Sequence, residues 1–490
     1  MANRNKVDPN IKMKEIMNIN ELINSNSFKT YKGRDGQNKQ SKTPAQIAKE
    51  WGVSLGDNLS IQGRLLPQPH LIYGRNQRVT PRNGRFQSGT TYKGVSFKNN
   101  NLIYVYDELD KSNIQGSLKN LIEKARQKEI GIELDIPKIF GVRVKGNSKW
   151  DEILRNLGAL KNFKGEAKMA IVFLSPQLEK YYSKLKSFFT NVTKFPTQFI
   201  ISKKLQDAKR AGSILFNVVE QINIKMGGSN FYIDFYKENI LTRNKIYMIL
   251  GLETRQSGNR YDYALVSTIS PNLDKTITSI QSVPNNKEEK EKALEQLMKL
   301  SLEELKKSGA NHPPDYVILY RQGGNYIQNR KIGEIEIPIM TKFLKHNFPK
   351  YKCKFFYICC NLKSELKFFE KNNKGYANPQ SGVCVDSSVT QKDKYEFFIQ
   401  PQLVNQGTAT PCHYQVLYED IDENEQENGL KLEQLQMLSF YLSFYYWTWS
   451  GAIRVPFTLK LATTAMDFYT KHLEGKLEKE NKQFKNPEYI

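Results

Sequence analysis

The chain has 490 residues, 39% apolar and 11% aromatic, which suits two or three packed cores and excludes a wholly disordered chain. Lys plus Arg is 73 against 50 Asp plus Glu, and the resulting +23 suits a polyanionic partner, nucleic acid foremost, as well as a Lys-rich solvated surface. Five cysteines without a Cys-x-x-Cys pair, and apolar runs far below the roughly 18 residues that cross a bilayer, argue against a disulfide scaffold, a Cys-rich zinc site or a membrane span; a cytoplasmic or nuclear setting is expected.

Residues 1–44 hold nine Lys or Arg and four Asp or Glu. With few large apolar side chains they predict a mobile basic arm, without a secretory leader. Residues 45–100 read as a linker. It opens with the short amphipathic pattern 45-AQIAKEWGVSL-55 and becomes rich in Pro, Gly and Arg from residue 63, an extended segment wrapped on something else.

Residues 101–238 alternate strand and helix patterns. Strands are predicted at 102–107, 168–174 and 198–202, and helices at 114–128, 176–189 and 208–225, the last stopped by Gly227-Gly228. Such alternation predicts an α/β unit with a largely parallel sheet. Residues 239–490 predict a second unit. Strands 246–254 and 261–270 form a hairpin, followed by a helix at 286–308 and strands at 315–321, 353–360 and 413–420. A polar loop at 422–429 precedes helices at 431–447 and 459–474. Two adjacent strands, a helix, a buried strand and covering helices resemble an RNase H-like arrangement.

Several segments carry a more specific resemblance. The run 223-NIKMGG-228, with 198-QFIISKKL-205 before it, is similar to the MID domain of Argonaute proteins of the Piwi branch. Segments 316-YVILYRQGG-324, 378-NPQSGVCVDSSVT-390, 407-GTATPCHYQVLYED-420 and 445-YYWTWSGAIRVP-456 follow in the family's order and spacing, and 51-WGVSL-55 with 63-GRLLPQP-69 resembles the linker before MID. The resemblance implies a Rossmann-like MID domain over 101–238 and an RNase H-like PIWI domain over 239–490. It also implies that the N-terminal and PAZ domains are missing, so that a bound guide RNA would be short and its 3′ end exposed.

Piwi-type MID domains hold a guide's 5′ phosphate with a Tyr, two Lys and two Gln, and the resemblance places these at Tyr182, Lys186, Gln198, Gln221 and Lys225. The residue types suit the chemistry. Tyr182 and Lys186 stand four apart on one helix, as do Gln221 and Lys225, so each pair shares a face. Lysines supply charge-assisted donors to a phosphate, and a Tyr stacks on a base. Taken singly, each is an ordinary surface lysine or boundary aromatic. The resemblance further implies a Mg²⁺ at this pocket, bridging the phosphate, Gln221 and a terminal carboxylate, here that of Ile490.

A cutting PIWI domain uses carboxylates and a His or Asp around two metal ions. The resemblance aligns those positions with Glu253, Gln322 and Thr463. Glu keeps the charge with a longer reach, whereas an amide and a hydroxyl are poor Mg²⁺ ligands. A fourth, mobile-loop Glu is expected at Glu288, Glu289 or Glu291. The expectation is therefore a non-cutting, guide-binding protein. It would hold a short single-stranded RNA, meet a complementary RNA target, and act through protein partners such as a nuclease or RNA-processing factor, in the nucleus or cytoplasm. The alternatives are an active guide-directed endoribonuclease and an RNA-stabilised scaffold that activates a partner nuclease.

Overall fold

The computed structural model describes residues 7–25, 30–32, 38–40, 42–56, 58–97, 101–132, 140–158, 160, 168–420, 430–475, 477 and 483–490. Within the expected arm, Asp8 caps helix α1 (Pro9–Ile23) by accepting from the Asn10 N–H. The helix is docked: Asn10 Oδ1 accepts from the Tyr376 N–H at 2.6 Å, and Thr408 Oγ1 donates to the Val7 carbonyl at 2.8 Å. This corrects the mobile-arm expectation for these residues, because an Asp-Pro start and one anchoring Asn outweigh the polar composition. Thr43 and Gln46 build a capping box for α2 (Pro44–Glu50). The linker then enters the fold through strand β1 (Arg64–Leu65).

The first unit is a four-stranded, wholly parallel sheet of β2 (Leu102–Asp107), β3 (Phe140–Val144), β4 (Met169–Leu174) and β5 (Thr197–Ile201), in the order β5-β4-β2-β3. All six β4 residues are buried, as a central parallel strand covered on both faces requires. One face packs on α3 (Lys111–Gln127) and α6 (Ala208–Lys225) through Leu118, Leu121, Val219 and Ile222; the other packs on α4 (Trp150–Leu157) and α5 (Tyr182–Phe188) through Ile153, Leu157, Leu185 and Phe188.

The second unit is a ten-stranded mixed sheet. Its strands after β1 are β6 (Tyr247–Ser257), β7 (Arg260–Thr268), β8 (Thr276–Pro284), β9 (Tyr316–Gln322), β10 (Lys354–Asn361), β11 (Val383–Val385), β12 (Glu396–Gln400), β13 (Cys412–Glu419) and β14 (Gln483–Phe484), in the order β14-β8-β7-β6-β9-β10-β13-β12-β11-β1. The hairpin β6–β7 pairs Leu250 with Ser267 through Ser257 with Arg260. Helices α7 (Lys287–Lys307) and α8 (Tyr326–Asn347) cover one face, and α9 (Leu432–Leu442) and α10 (Phe457–His472) the other. Four of the five cysteines are buried. The expected loop at 422–429 lies outside the described residues.

Helix α8 has no counterpart in the sequence reading, since Gly333 and Pro338 interrupt its pattern. It forms because Asn325 and Gln328 cap it reciprocally and because Glu336 reaches the buried Arg321 guanidinium at 3.3 Å. A Cβ on Gly333 would stand 3.1 Å from Leu417 Cδ1, so the glycine lets the helix lie close on β13.

Candidate functional site

Local structure sets out the five polar residues. Ser175 caps the turn before α5, accepting from the Leu178 N–H at 3.2 Å and donating to Asp107 Oδ2 at 2.6 Å. Helix α5 therefore starts at Tyr182, with Lys186 one turn on. The chain reverses at Lys194, whose φ is 58°, and re-enters the sheet at β5 with Thr197 and Gln198. Gln221 and Lys225 occupy the last turns of α6, and Gly227 ends it at φ 85°.

The tertiary structure brings all five together. Lys225 Nζ donates to the Thr197 carbonyl and to Gln198 Oε1, each at 2.9 Å, and Gln198 Nε2 donates to Gln221 Oε1 at 2.8 Å. Lys186 Nζ lies 3.4 Å from Thr197 Oγ1 and 4.7 Å from the Phe199 ring centre. The Tyr182 ring meets Phe199 edge to face, their centres 5.0 Å apart. Lys225 is 1% exposed and Lys186 3%.

The C-terminal tail completes the pocket. Strand β14 pairs with β8 through Phe484 and Thr278, and the Tyr489 hydroxyl lies 2.7 Å from Thr278 Oγ1. Asn486 packs over Gly227, and Ile490 lies half-buried against the large core. Between them, Glu488 faces the two lysines. Burial pushes the Lys186 ammonium down to about 8, partly offset by Glu488. Burial and the neighbouring Lys186 hold Lys225 well below the usual lysine range. Burial raises the Glu488 carboxyl to about 7 against the pull of Lys225 and Lys186. Two buried lysines thus face one carboxylate whose ionisation burial opposes, an arrangement short of negative charge.

The other expected residues meet differently. Thr463 Oγ1 donates to Glu253 Oε2 at 3.2 Å. The parallel ladder between β6 and β9 closes at Leu252 and Arg321, so Glu253 and Gln322 are the next residues on neighbouring strands. Burial raises the Glu253 carboxyl, opposed first by Arg321 and then by the Thr463 hydrogen bond. The Arg321 guanidinium itself donates to Glu336, Thr254 Oγ1 and the Gln322 carbonyl. Among the described residues, no three His, Cys, Asp or Glu side chains converge as a metal site. Glu288, Glu289 and Glu291 sit in the first turns of α7, paired with Lys292 and Lys342. The helix expected at 286–308 thus holds all three, and the mobile-loop Glu expected among them stands on that helix instead, because Asn286 caps it at that point. His413 is held by Glu396 at 2.8 Å and stacked on Phe398, a structural placement.

A family model described as the Piwi domain matches residues 169–474, more than half of the chain. The chain belongs to the Piwi family. It is 25% identical to Piwi-like protein Ago3 of Bombyx mori over 83% of this chain and 42% of that one. It is 23% identical to Piwi-like protein 1 of Danio rerio, over 83% and 45%. The chain thus spans about half the length of the curated relatives it matches. The crystal structure of Drosophila Piwi superposes with a TM-score of 0.76 at 16% identity, covering 99% of this chain and 62% of that one. The C-terminal lobe of a budding yeast Argonaute gives 0.71 at 16% identity, over 87% and 95%. Kluyveromyces polysporus Argonaute with a guide RNA gives 0.72 at 17%, over 91% and 57%. The fold of this Piwi-family chain is accordingly that of an Argonaute MID–PIWI lobe, with an RNase H-like second unit.

Three residues of this cluster escaped the sequence reading of the Piwi-family chain. Thr197 precedes Gln198 and was hidden by its ordinary strand propensity. His472, from the last turn of α10, lies edge-on to Tyr182 with ring centres 5.0 Å apart, and its Nδ1 is 2.9 Å from Ser183 Oγ. Glu488 belongs to a terminal segment whose only local signal was the acid inside 486-NPEYI-490. Neither His472 nor Glu488 has a periodic or spacing signature, since both reach the pocket from the other unit.

Proposed function

We propose that this chain anchors the 5′ phosphate of a short single-stranded RNA between its two units and uses that RNA as a guide toward complementary RNA, without cutting. The observation that carries this reading is the pair Lys186 and Lys225, both at most 3% exposed and short of negative charge, converging with Tyr182, Gln198 and Gln221. An anion between the two buried lysines would favour their charged forms. A terminal phosphate would supply the missing charge, with Tyr182 beside it for the first base and phosphate contacts along the chain for most of the affinity. A guide RNA is also what the Kluyveromyces polysporus Argonaute of this fold was solved with.

Oxygen donors of the kind Mg²⁺ takes are at hand: Gln221 Oε1 keeps a lone pair beyond the hydrogen bond from Gln198, and the tail that carries the Ile490 carboxylate packs close by through Asn486 on Gly227. Gln221 and Ile490 would hold the ion, which would screen the phosphate from the carboxylates. Glu253, Gln322 and Thr463 support the non-cutting half of the reading: one acid, one amide and one hydroxyl offer too little charge for two metal ions. Such a protein would act through partners, a nuclease or RNA-processing factor among them.

The test is RNA recovered with the purified protein. Changing Tyr182→Ala and Lys186→Ala together should strip 5′-monophosphorylated RNA, and wild-type recovery from the folded double variant would refute the pocket. A C-terminal tag should lower recovery and its sensitivity to EDTA, whereas an N-terminal tag should change neither.

A further inference from the structure

Where the linker meets the second unit, Ala452 N–H donates to the Gly84 carbonyl at 2.8 Å and Phe86 N–H to the Ser450 carbonyl at 3.3 Å. This short pairing frames a cavity of about 320 Å³ lined by Arg85, Gln402, Tyr446, Thr448 and Trp449 among others, with no acidic residue in its lining. Trp449 is 53% exposed, unlike its neighbour Trp447, which is buried. The indole lies against Gly451: a Cβ there would stand 3.0 Å from Trp449 Nε1. Cations lie at the cavity with these rings. Lys460 Nζ sits 5.9 Å from the Tyr446 ring centre. Arg85 is exposed, and its fork is held by the neutral amide oxygen of Asn405 at 2.9 and 3.1 Å. Arg454, the next residue after the lining Ile453, donates to the Leu362 and Thr410 carbonyls, again neutral partners.

We propose that Trp449 is a stacking platform for a nucleobase of the bound RNA, with Arg85 and Lys460 facing the adjoining phosphates. An exposed indole beside unneutralised cations suits single-stranded nucleic acid, since every base offers a π-face and every linkage a charge. An acidic protein segment is the competing occupant. It would use the cations, but the chain's +23 and the purely neutral partners of Arg85 and Arg454 match a polyanion in general and the indole matches a base in particular. The placement also fits the proposed 5′ anchor, on which this inference rests. Helix α10 runs from beside this cavity to His472 at the anchor, and its 16 residues span about 24 Å, the reach of several nucleotides.

The test compares Trp449→Ala, Trp449→Phe and wild type, with oligo(U) RNAs of three and twelve nucleotides carrying a 5′ phosphate, and a twelve-nucleotide RNA with a 5′ hydroxyl. Trp449→Ala should lose about tenfold in affinity for the twelve-nucleotide RNAs and nothing for the trinucleotide. Trp449→Phe should recover most of the loss. The twelve-nucleotide RNA should quench tryptophan fluorescence in the wild type and much less in Trp449→Phe. Equal affinity of Trp449→Ala and wild type for the long RNA, with equal quenching in Trp449→Phe, would overturn the platform and leave the surface to a protein. If the phosphorylated and hydroxyl RNAs bind alike while Trp449→Ala still weakens both, the 5′ anchor fails and the platform stands.

Discussion

Ser183 Oγ and His472 Nδ1 stand 2.9 Å apart although 289 residues separate them in the chain. The contact fastens the first turn of α5 to the last turn of α10, and the same imidazole buttresses Tyr182. Burial, with Lys186 next, lowers the His472 pKa, so the neutral ring is the resident form at pH 7. His472→Ala should cost about 1 kcal/mol of stability for the lost hydrogen bond. It should also weaken RNA binding several-fold by freeing Tyr182. Urea unfolding and RNA affinity measured on one preparation check both parts; intact affinity beside the stability loss would show that Tyr182 needs no buttress.

The pocket predicts a pH dependence. A lysine held at about 8 is charged at pH 7 and neutral at pH 9. Binding an anion then requires proton uptake, so affinity for a 5′-phosphorylated RNA should fall above pH 8, by up to about tenfold per unit for one proton. Glu488 acts in the same direction near its value of about 7, since its negative charge grows as pH rises. Glu488 also raises the Lys186 pKa, so Glu488→Gln should bind more tightly than wild type near pH 7, where Lys186 stays charged, and should begin to lose affinity at a lower pH than wild type. A wild-type profile level from pH 7 to 9 would contradict this account.

Restoring one acid should not restore cutting. Gln322→Asp adds a carboxylate on the strand beside Glu253, yet Thr463 still occupies Glu253 Oε2 and contributes no charge. Neither wild type nor Gln322→Asp should cleave a guide-matched RNA in Mg²⁺ or Mn²⁺. Cleavage by the unmodified protein that disappears in Glu253→Gln would establish the opposite.

Gly251 sets how closely α10 lies on β6. A Cβ there would stand 2.2 Å from the Thr458 carbonyl carbon and 2.4 Å from the Leu459 nitrogen, both backbone atoms that cannot turn aside. Gly251→Ala should destabilise the fold by about 3 kcal/mol, the upper end for overpacking, and displace Thr463 from Glu253. A thermal melt within a degree of wild type would show that the helix shifts freely.

Local pattern was enough for the elements whose signals lie within a few residues. The apolar runs of β4 and β9, the Gly227 stop after α6, and the four-residue spacings of Tyr182 with Lys186 and Gln221 with Lys225 are all properties of adjacent turns. Helix α8 was lost because Gly333 and Pro338 oppose a helix locally, and only the buried contact between Glu336 and Arg321 and the packing on β13 reverse that balance. The sequence by itself determined two α/β units and a basic net charge, and its resemblance to Piwi proteins singled out the five polar residues. The tertiary structure decided that those five converge with both lysines almost wholly buried, that His472 and Glu488 close the pocket from the far end of the chain, and that Thr463 reaches Glu253. The reason is physical: residue spacing constrains a side chain only within its own turn or strand, whereas burial and charge are fixed by which distant segments pack against it, and those contacts leave no periodic mark in the sequence.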